Sequence, residues 1–187
     1  GTDSQTGDPF FWKKLAASWT KNGNDIQPSQ FLGGLQGALS ELQGAGSDLY
    51  LPLFVSIDGR CGGGKSTLAR ALETHLEIPV NVLHMDDFFL PPERRTPQRL
   101  SLPGGNMDLE RCARELLDPL SRGKSGLLRP FDCHTGTFLP ETQVPPRPLT
   151  ILEGTYSAHP ELAAYPQLKL FLTCSPPAWS AGRAQSG

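Results

Sequence analysis

Gly59-Arg60-Cys61-Gly62-Gly63-Gly64-Lys65-Ser66 reads G-x-x-x-x-G-K-S, directly after the apolar run Leu53-Phe54-Val55-Ser56-Ile57 and before a helical pattern opening at Thr67. Strand, glycine-rich loop and helix in this order make a phosphate cradle. Glycines let backbone N–H groups turn toward phosphate oxygens, and the helix N-terminus adds partial positive charge. Lys65 is suited to neutralising β- and γ-phosphates, and the Ser66 hydroxyl to ligating Mg²⁺. The pattern predicts a nucleoside triphosphate binder that uses Mg²⁺. Gly59, Arg60, Cys61, Gly62, Gly63, Gly64, Lys65, Ser66 and Thr67 would line the cradle.

A chain of 187 residues can bury the core of one such α/β domain. Its formal net charge of −2 argues against a dedicated nucleic-acid binder, which needs a basic excess or stripe. Cys61, Cys112, Cys133 and Cys174 lack C-x-x-C spacing, so neither a zinc site nor a disulfide framework is indicated, and a reducing cytosol fits. No run approaches the length of a membrane span, and the opening Gly1-Thr2-Asp3-Ser4 lacks the pattern of a secretory leader. The expectation is a cytoplasmic protein acting on a small molecule, with no membrane or nucleic-acid partner.

Two regions are expected: an N-terminal helical extension over 1–48 and the phosphate-binding domain over 49–187. In the first, Phe11, Trp12, Leu15 and Trp19 fall at helical spacing, and Phe31, Leu32, Leu35, Leu39 and Leu42 do so again. In the second, Leu68, Leu72 and Leu76 give one helical face, and Val80 to Met85 a further strand, completing a βαβ unit. A stretch of about twenty residues from Phe88 to Met107 carries four prolines and no sustained periodicity, the mark of a functional or disordered loop. Asp108 then reads as an N-cap before the apolar series Leu109, Cys112, Ala113, Leu116, Leu117 and Leu120, closed by Gly123. Leu127 to Phe138 reads as extended pieces around a turn, and Leu149 to Leu152 and Leu168 to Thr173 as strands. The fold class expected is α/β: a P-loop NTPase-type parallel sheet flanked by helices.

In an open parallel sheet, ligands sit outside the carboxyl ends of the strands. Three expected strand ends carry chemistry: Gly59 starts the phosphate loop, Asp86-Asp87 follows the second strand, and Glu153 follows Leu149 to Leu152. Each carboxylate alone could be a cap or a strand-end charge. Beside a Lys-Ser phosphate site they gain two jobs, holding Mg²⁺ directly or through water and accepting a proton from an attacking hydroxyl.

Asp86-Asp87-Phe88-Phe89 resembles the D-S-F-Y segment of uridine kinases, within the uridine kinase and phosphoribulokinase group. Phe131-Asp132-Cys133-His134 is similar to that family's Y-D-x-x-x-H segment, and Ile151-Leu152-Glu153-Gly154 to its I-x-E-G strand end. The resemblance covers roughly residues 52 to 175. It implies an ATP-dependent phosphotransferase acting on the 5′-hydroxyl of uridine or cytidine, with Lys65 and Asp86 catalytic and Asp86 orienting the hydroxyl. Ser66 and Glu153 would hold Mg²⁺, Phe89 and Phe131 would flank the nucleoside, and His134 would contact its base. Asn106 and Asp108 fall near the family's carboxylate for the ribose hydroxyls.

Arg94, Arg95 and Arg99 read as solvated loop charges or as phosphate contacts on closure. The spacing after Phe131 is about two residues shorter than the family pattern. The chain stops at Gly187 with only Arg183 in its tail, where the family continues into an arginine-rich lid; the resemblance therefore implies a missing lid region. A kinase of a sugar phosphate, pantothenate or other non-nucleoside acceptor stays open, as does a phosphate-binding module with little turnover. A nucleotide switch is disfavoured by the lack of an N-K-x-D-like signature.

Overall fold

The computed structural model describes residues 17–21, 24–26, 33, 37, 52–60, 64–76 and 78–174. In chain order the strands are β1 (Ala17–Lys21), β2 (Asn24–Ile26), β3 (Leu53–Gly59), β4 (Val80–His84), β5 (Gly126–Leu128), β6 (Phe131–Asp132), β7 (Thr137–Phe138), β8 (Thr142–Val144), β9 (Leu149–Glu153) and β10 (Leu168–Cys174). Six of them form one sheet in the order β2-β1-β10-β3-β9-β4. β10, β3, β9 and β4 run parallel, while β1 and β2 add antiparallel to one side. The fold is thus the expected α/β class.

β3 is central because its residues are apolar on both faces, and every residue from Leu53 to Ile57 is buried. Alternation along the strands sorts the core. Val55 and Ile57 join Leu68, Leu72, Ile151, Leu170 and Leu172 in one cluster, packed under the helix α1 (Lys65–His75). Phe54 and Leu152 join Leu83, Met85, Phe88, Leu116, Leu117 and Leu120 in a second. At roughly 1.5–3 kcal/mol for each fully buried large side chain, the two clusters account for the sheet's place in the middle of the molecule.

The expected amphipathic helix ending at Trp19 is corrected. Ala17–Lys21 is a strand paired from Ala17↔Cys174 to Thr20↔Phe171, and the rest of that pattern lies outside the described residues. Trp19 and Thr20 favour extended backbone, and the β10 edge offers unpaired N–H and C=O groups that a helix could not satisfy. Asn22-Gly23, between β1 and β2, is the hairpin signal that marks this in the sequence. Of the second expected helix the structure describes Gly33 and Gly37, both helical.

The stretch from Phe88 to Met107 is a strap stitched at its base. Phe89 bridges Met107, Leu90 N donates to Asn106 O at 2.8 Å, and Asp108 N donates to Phe88 O at 2.6 Å. Between these ties the strap makes short helical turns at Pro92–Arg94 and Pro97–Leu100, the second capped by Thr96. The expected helix beyond it runs as Leu109–Arg111, a π-helical stretch Cys112–Leu117 and Asp118–Ser121. Pro119 explains the widening: it has no N–H for the Glu115 carbonyl, and its ring would crowd that oxygen in a regular α-helix. Two small sheets, β5–β8 and β6–β7, close this side.

Candidate active site

Parallel pairing brings three strand ends to one rim. Ile57 stands opposite Glu153 in the β3–β9 register, and His84 opposite Glu153 in the β4–β9 register. Gly59, two residues beyond Ile57, has φ 143° and lies so close to β10 that a Cβ there would sit 2.4 Å from Leu172 O. Glycine is required at that position by contact as well as by backbone angle.

α1 starts at Lys65 behind Gly64, whose φ of 84° turns the chain into the helix. No side chain caps the start, and its first turn holds no acidic residue. The positive end of the helix therefore faces the rim with no acidic residue of its own first turn to offset it. Lys65 is buried, and its Nζ donates to Arg60 O at 2.7 Å. Cys61, Gly62 and Gly63, predicted to complete the cradle, lie outside the described residues. Thr67 is exposed on α1.

Glu153 is the focus of the rim. It is only 6% exposed, and its Oε1 accepts from Ser66 Oγ at 3.2 Å and from His84 Nδ1 at 2.5 Å. The hydrogen bond to Glu153 raises the imidazole's pKa, opposed by partial burial and reinforced by the nearby Glu153, Asp87 and Asp86 charges. His84 went unnoticed in the sequence, although a histidine two residues ahead of Asp86 at a strand end was a signal for it. Asp86 and Asp87 follow in the turn Met85–Phe88, Asp86 exposed and Asp87 half-buried. Burial pushes the Asp87 carboxyl up, against the lowering pull of His84 and Arg111.

The remaining expected site residues sit on the strap, at the helix start beyond it and on the β6–β7 hairpin. Phe89 is half-buried and packs on the second core cluster. Phe131 is buried and meets Phe138 edge-on, with ring centres 5.2 Å apart, as part of the β6–β7 hairpin. His134 is exposed in the turn of that hairpin, its amide donating to Asp132 Oδ1 at 2.8 Å. Asn106 lends its carbonyl to Leu90. Asp108 is 1% exposed, and its carboxylate accepts from Arg94 Nη1 at 2.9 Å, Arg111 Nε at 3.2 Å and the Arg111 amide at 3.3 Å.

Arg111, also buried, continues from Asp108 to Asp87 O at 3.3 Å and Arg129 O at 2.6 Å, with its guanidinium 4.8 Å from the Phe88 ring centre. Arg95 donates to Leu90 O, and Arg99 holds Glu110 through two parallel bonds of 2.8 Å. The strap arginines thus bind the strap itself and the start of the helix beyond it.

Ser66 and Glu153 supply hard oxygen donors side by side, which fits Mg²⁺. Among the described residues no cluster of three or more His, Cys, Asp or Glu forms a metal cage. That arrangement suits an ion that keeps waters and phosphate oxygens as its other ligands.

No protein-family model matches the chain, and no curated protein matches it in sequence. Solved structures do match. A candidate uridine kinase from Bacillus stearothermophilus superposes with TM-score 0.59 at 22% identity, covering 81% of this chain and 91% of that one. A candidate fructose transport system kinase from Silicibacter sp. TM1040 gives 0.55 at 26% identity, over 73% and 71%. D-glycerate 3-kinase from Cryptococcus neoformans gives 0.51 at 21%, over 68% and 51%. Sheet, phosphate-loop position and these likenesses define an α/β domain with the P-loop kinase fold. Among the described residues no helix is long and apolar enough to cross a membrane.

Proposed function

We propose that the chain is an ATP-dependent kinase that transfers the γ-phosphoryl group to a hydroxyl of a small acceptor, with the 5′-hydroxyl of uridine or cytidine as the first acceptor. The observation that carries this is the rim itself: Ser66 Oγ 3.2 Å from the buried Glu153 carboxylate, at the start of the helix that bears Lys65, with Asp86 just beyond the neighbouring strand.

In this reading Lys65 exchanges its bond to Arg60 O for a phosphate oxygen, and the amides at the start of α1 face the triphosphate. Ser66, and Glu153 through water, would hold Mg²⁺, which supplies neutralisation of the charge on the β- and γ-phosphates. Asp86, exposed at the rim, accepts the acceptor's proton as its oxygen bonds to the γ-phosphorus and the bond to the β–γ bridging oxygen breaks, leaving ADP. Phe89, Phe131, His134, Asn106 and Asp108 belong to the acceptor side; β6 lies against the Met85–Phe88 turn, so Phe131 and the Asp86 turn share one wall.

A non-nucleoside acceptor is the second reading. It is favoured by Asp108, whose carboxylate is already bound by Arg94 and Arg111 rather than free for ribose hydroxyls. Structures named for fructose and for glycerate share the fold.

The deciding experiment follows γ-phosphate from ATP·Mg²⁺ into uridine, cytidine and a panel of sugars and hydroxy acids. Asp86→Asn is expected to lower kcat by about 10²- to 10⁴-fold, the usual contribution of a positioned base. Lys65→Ala is expected to abolish both nucleotide binding and transfer. Transfer to sugars or hydroxy acids alone would replace the nucleoside reading, and phosphate release with no acceptor requirement would overturn the kinase.

A further inference from the structure

Among the described residues Tyr156 is the only non-glycine with positive φ, at 72°. An aromatic residue in the left-handed region is a true outlier, so its surroundings must hold it there. Asp58 does so. Its carboxylate receives three main-chain amides: Gly59 at 2.6 Å and Tyr156 at 3.2 Å on Oδ1, and Ala158 at 3.0 Å on Oδ2. Thr155 Oγ1 donates to Gly59 O at 3.2 Å, and Gly154 N to Ile57 O at 2.9 Å. The loop after Glu153 is thereby fastened to the residues that lead into the phosphate loop.

The enforced turn aims the Tyr156 ring at the strap. A Cβ on Gly104, itself at φ 70°, would lie 3.3 Å from Tyr156 Cδ1 and 3.2 Å from His159 Cδ2. His159 stands edge-on to Tyr156 with ring centres 6.3 Å apart, and its Nε2 is 3.1 Å from Pro103 O. Gly104 O accepts from Met107 N at 2.9 Å, and Met107 bridges back to Phe89 beside the Asp86 turn. One continuous set of contacts thus runs from Asp58 to the far limb of the strap.

We propose that Tyr156, held in its left-handed turn by Asp58, is a positioning residue that sets the Gly104–Met107 limb of the strap, and with it the acceptor wall, at a fixed place relative to the phosphate loop. That this limb serves an acceptor rests on the kinase reading; that Tyr156 places it does not. An unstrained residue would leave the same loop closed but send no ring across to Gly104.

Hydrogen exchange on the full chain tests the placement. Tyr156→Asn keeps a side chain that tolerates the left-handed turn and removes the ring; Asp58→Asn removes one of the carboxylate's acceptor oxygens. Both should speed exchange of the Gly105 and Met107 amides by about tenfold or more, with α1 and β9 unchanged. Unaltered exchange there in Tyr156→Asn overturns the proposal, whether or not Asp58→Asn folds.

A kinetic arm separates positioning from general loosening. Tyr156→Asn should raise the acceptor KM about fivefold or more and leave the ATP KM within about twofold; equal rises in both overturn the assignment. If the wild-type chain transfers phosphate to no acceptor, the kinase reading fails, and the exchange result still decides what Tyr156 does.

Discussion

Glu110 shows how a single side chain on the strap's margin reads the solution. The two bonds from Arg99 hold its carboxyl down from the ordinary 4.5 to about 2. A carboxylate with a depressed folded-state pKa stabilises the fold above the unfolded value, and that contribution is lost as pH falls from about 4.5 toward 2. Urea midpoints followed from pH 6 to pH 2 should therefore fall more steeply for the wild type than for Glu110→Gln. The carboxylate is about half exposed, so solvent screening keeps the difference small. Cys112 is the opposite case: burial pushes its thiol up to about 12, which leaves it a packing group.

At the scale of elements, the helix beyond the strap depends on a tight fit at its π-helical stretch. A Cβ on Gly126 would stand 2.9 Å from Leu116 Cδ1 and 3.0 Å from Leu116 O, with β5 pressed on the widened turn. Gly126→Ala is expected to cost about 1–3 kcal/mol by overpacking, and Leu116→Ala about 2–5 kcal/mol by the cavity it leaves. Thermal or urea unfolding of each variant measures both.

The elements best foreseen are those whose signal is local. The apolar run of β3 and the 3.6-residue spacing of Leu109 to Leu120 announce themselves. The strands that end before Asp86 and at Glu153 are legible in the same way. What escaped the sequence depends on pairing between distant residues. His84 meets Glu153 only because β4 and β9 run in register, and Asp58 gains the Tyr156 and Ala158 amides only when the loop after β9 folds back on β3. Phe11, Leu15 and Trp19 fit a period of two as well as helical spacing, and at Trp19 pairing with β10 selects the strand. Asp108 was legible as a cap, and is one, but its second arginine comes from the strap fourteen residues earlier.

For the molecule as a whole, a ligand that binds only the folded state raises stability by mass action. With ATP·Mg²⁺ at about 100 times its Kd, the gain is about 2.7 kcal/mol. A domain of this size should then melt several degrees higher. Differential scanning fluorimetry should show this shift in the wild type, and Lys65→Ala should show none. A shift retained in Lys65→Ala would mean that the nucleotide is held elsewhere.

The antiparallel pair β1 and β2 gives the same sheet a colloidal property. It occupies the outer side of β10, a seven-residue strand that carries the exposed Phe171, and ends the sheet in a three-residue strand too short to template another chain. A version lacking residues 1–26 would present the full length of β10 to its neighbours in solution. Light scattering should then find concentration-dependent self-association beyond that of residues 1–187, so fragments trimmed to begin at the sheet's parallel strands are the wrong material for measuring this protein's stability.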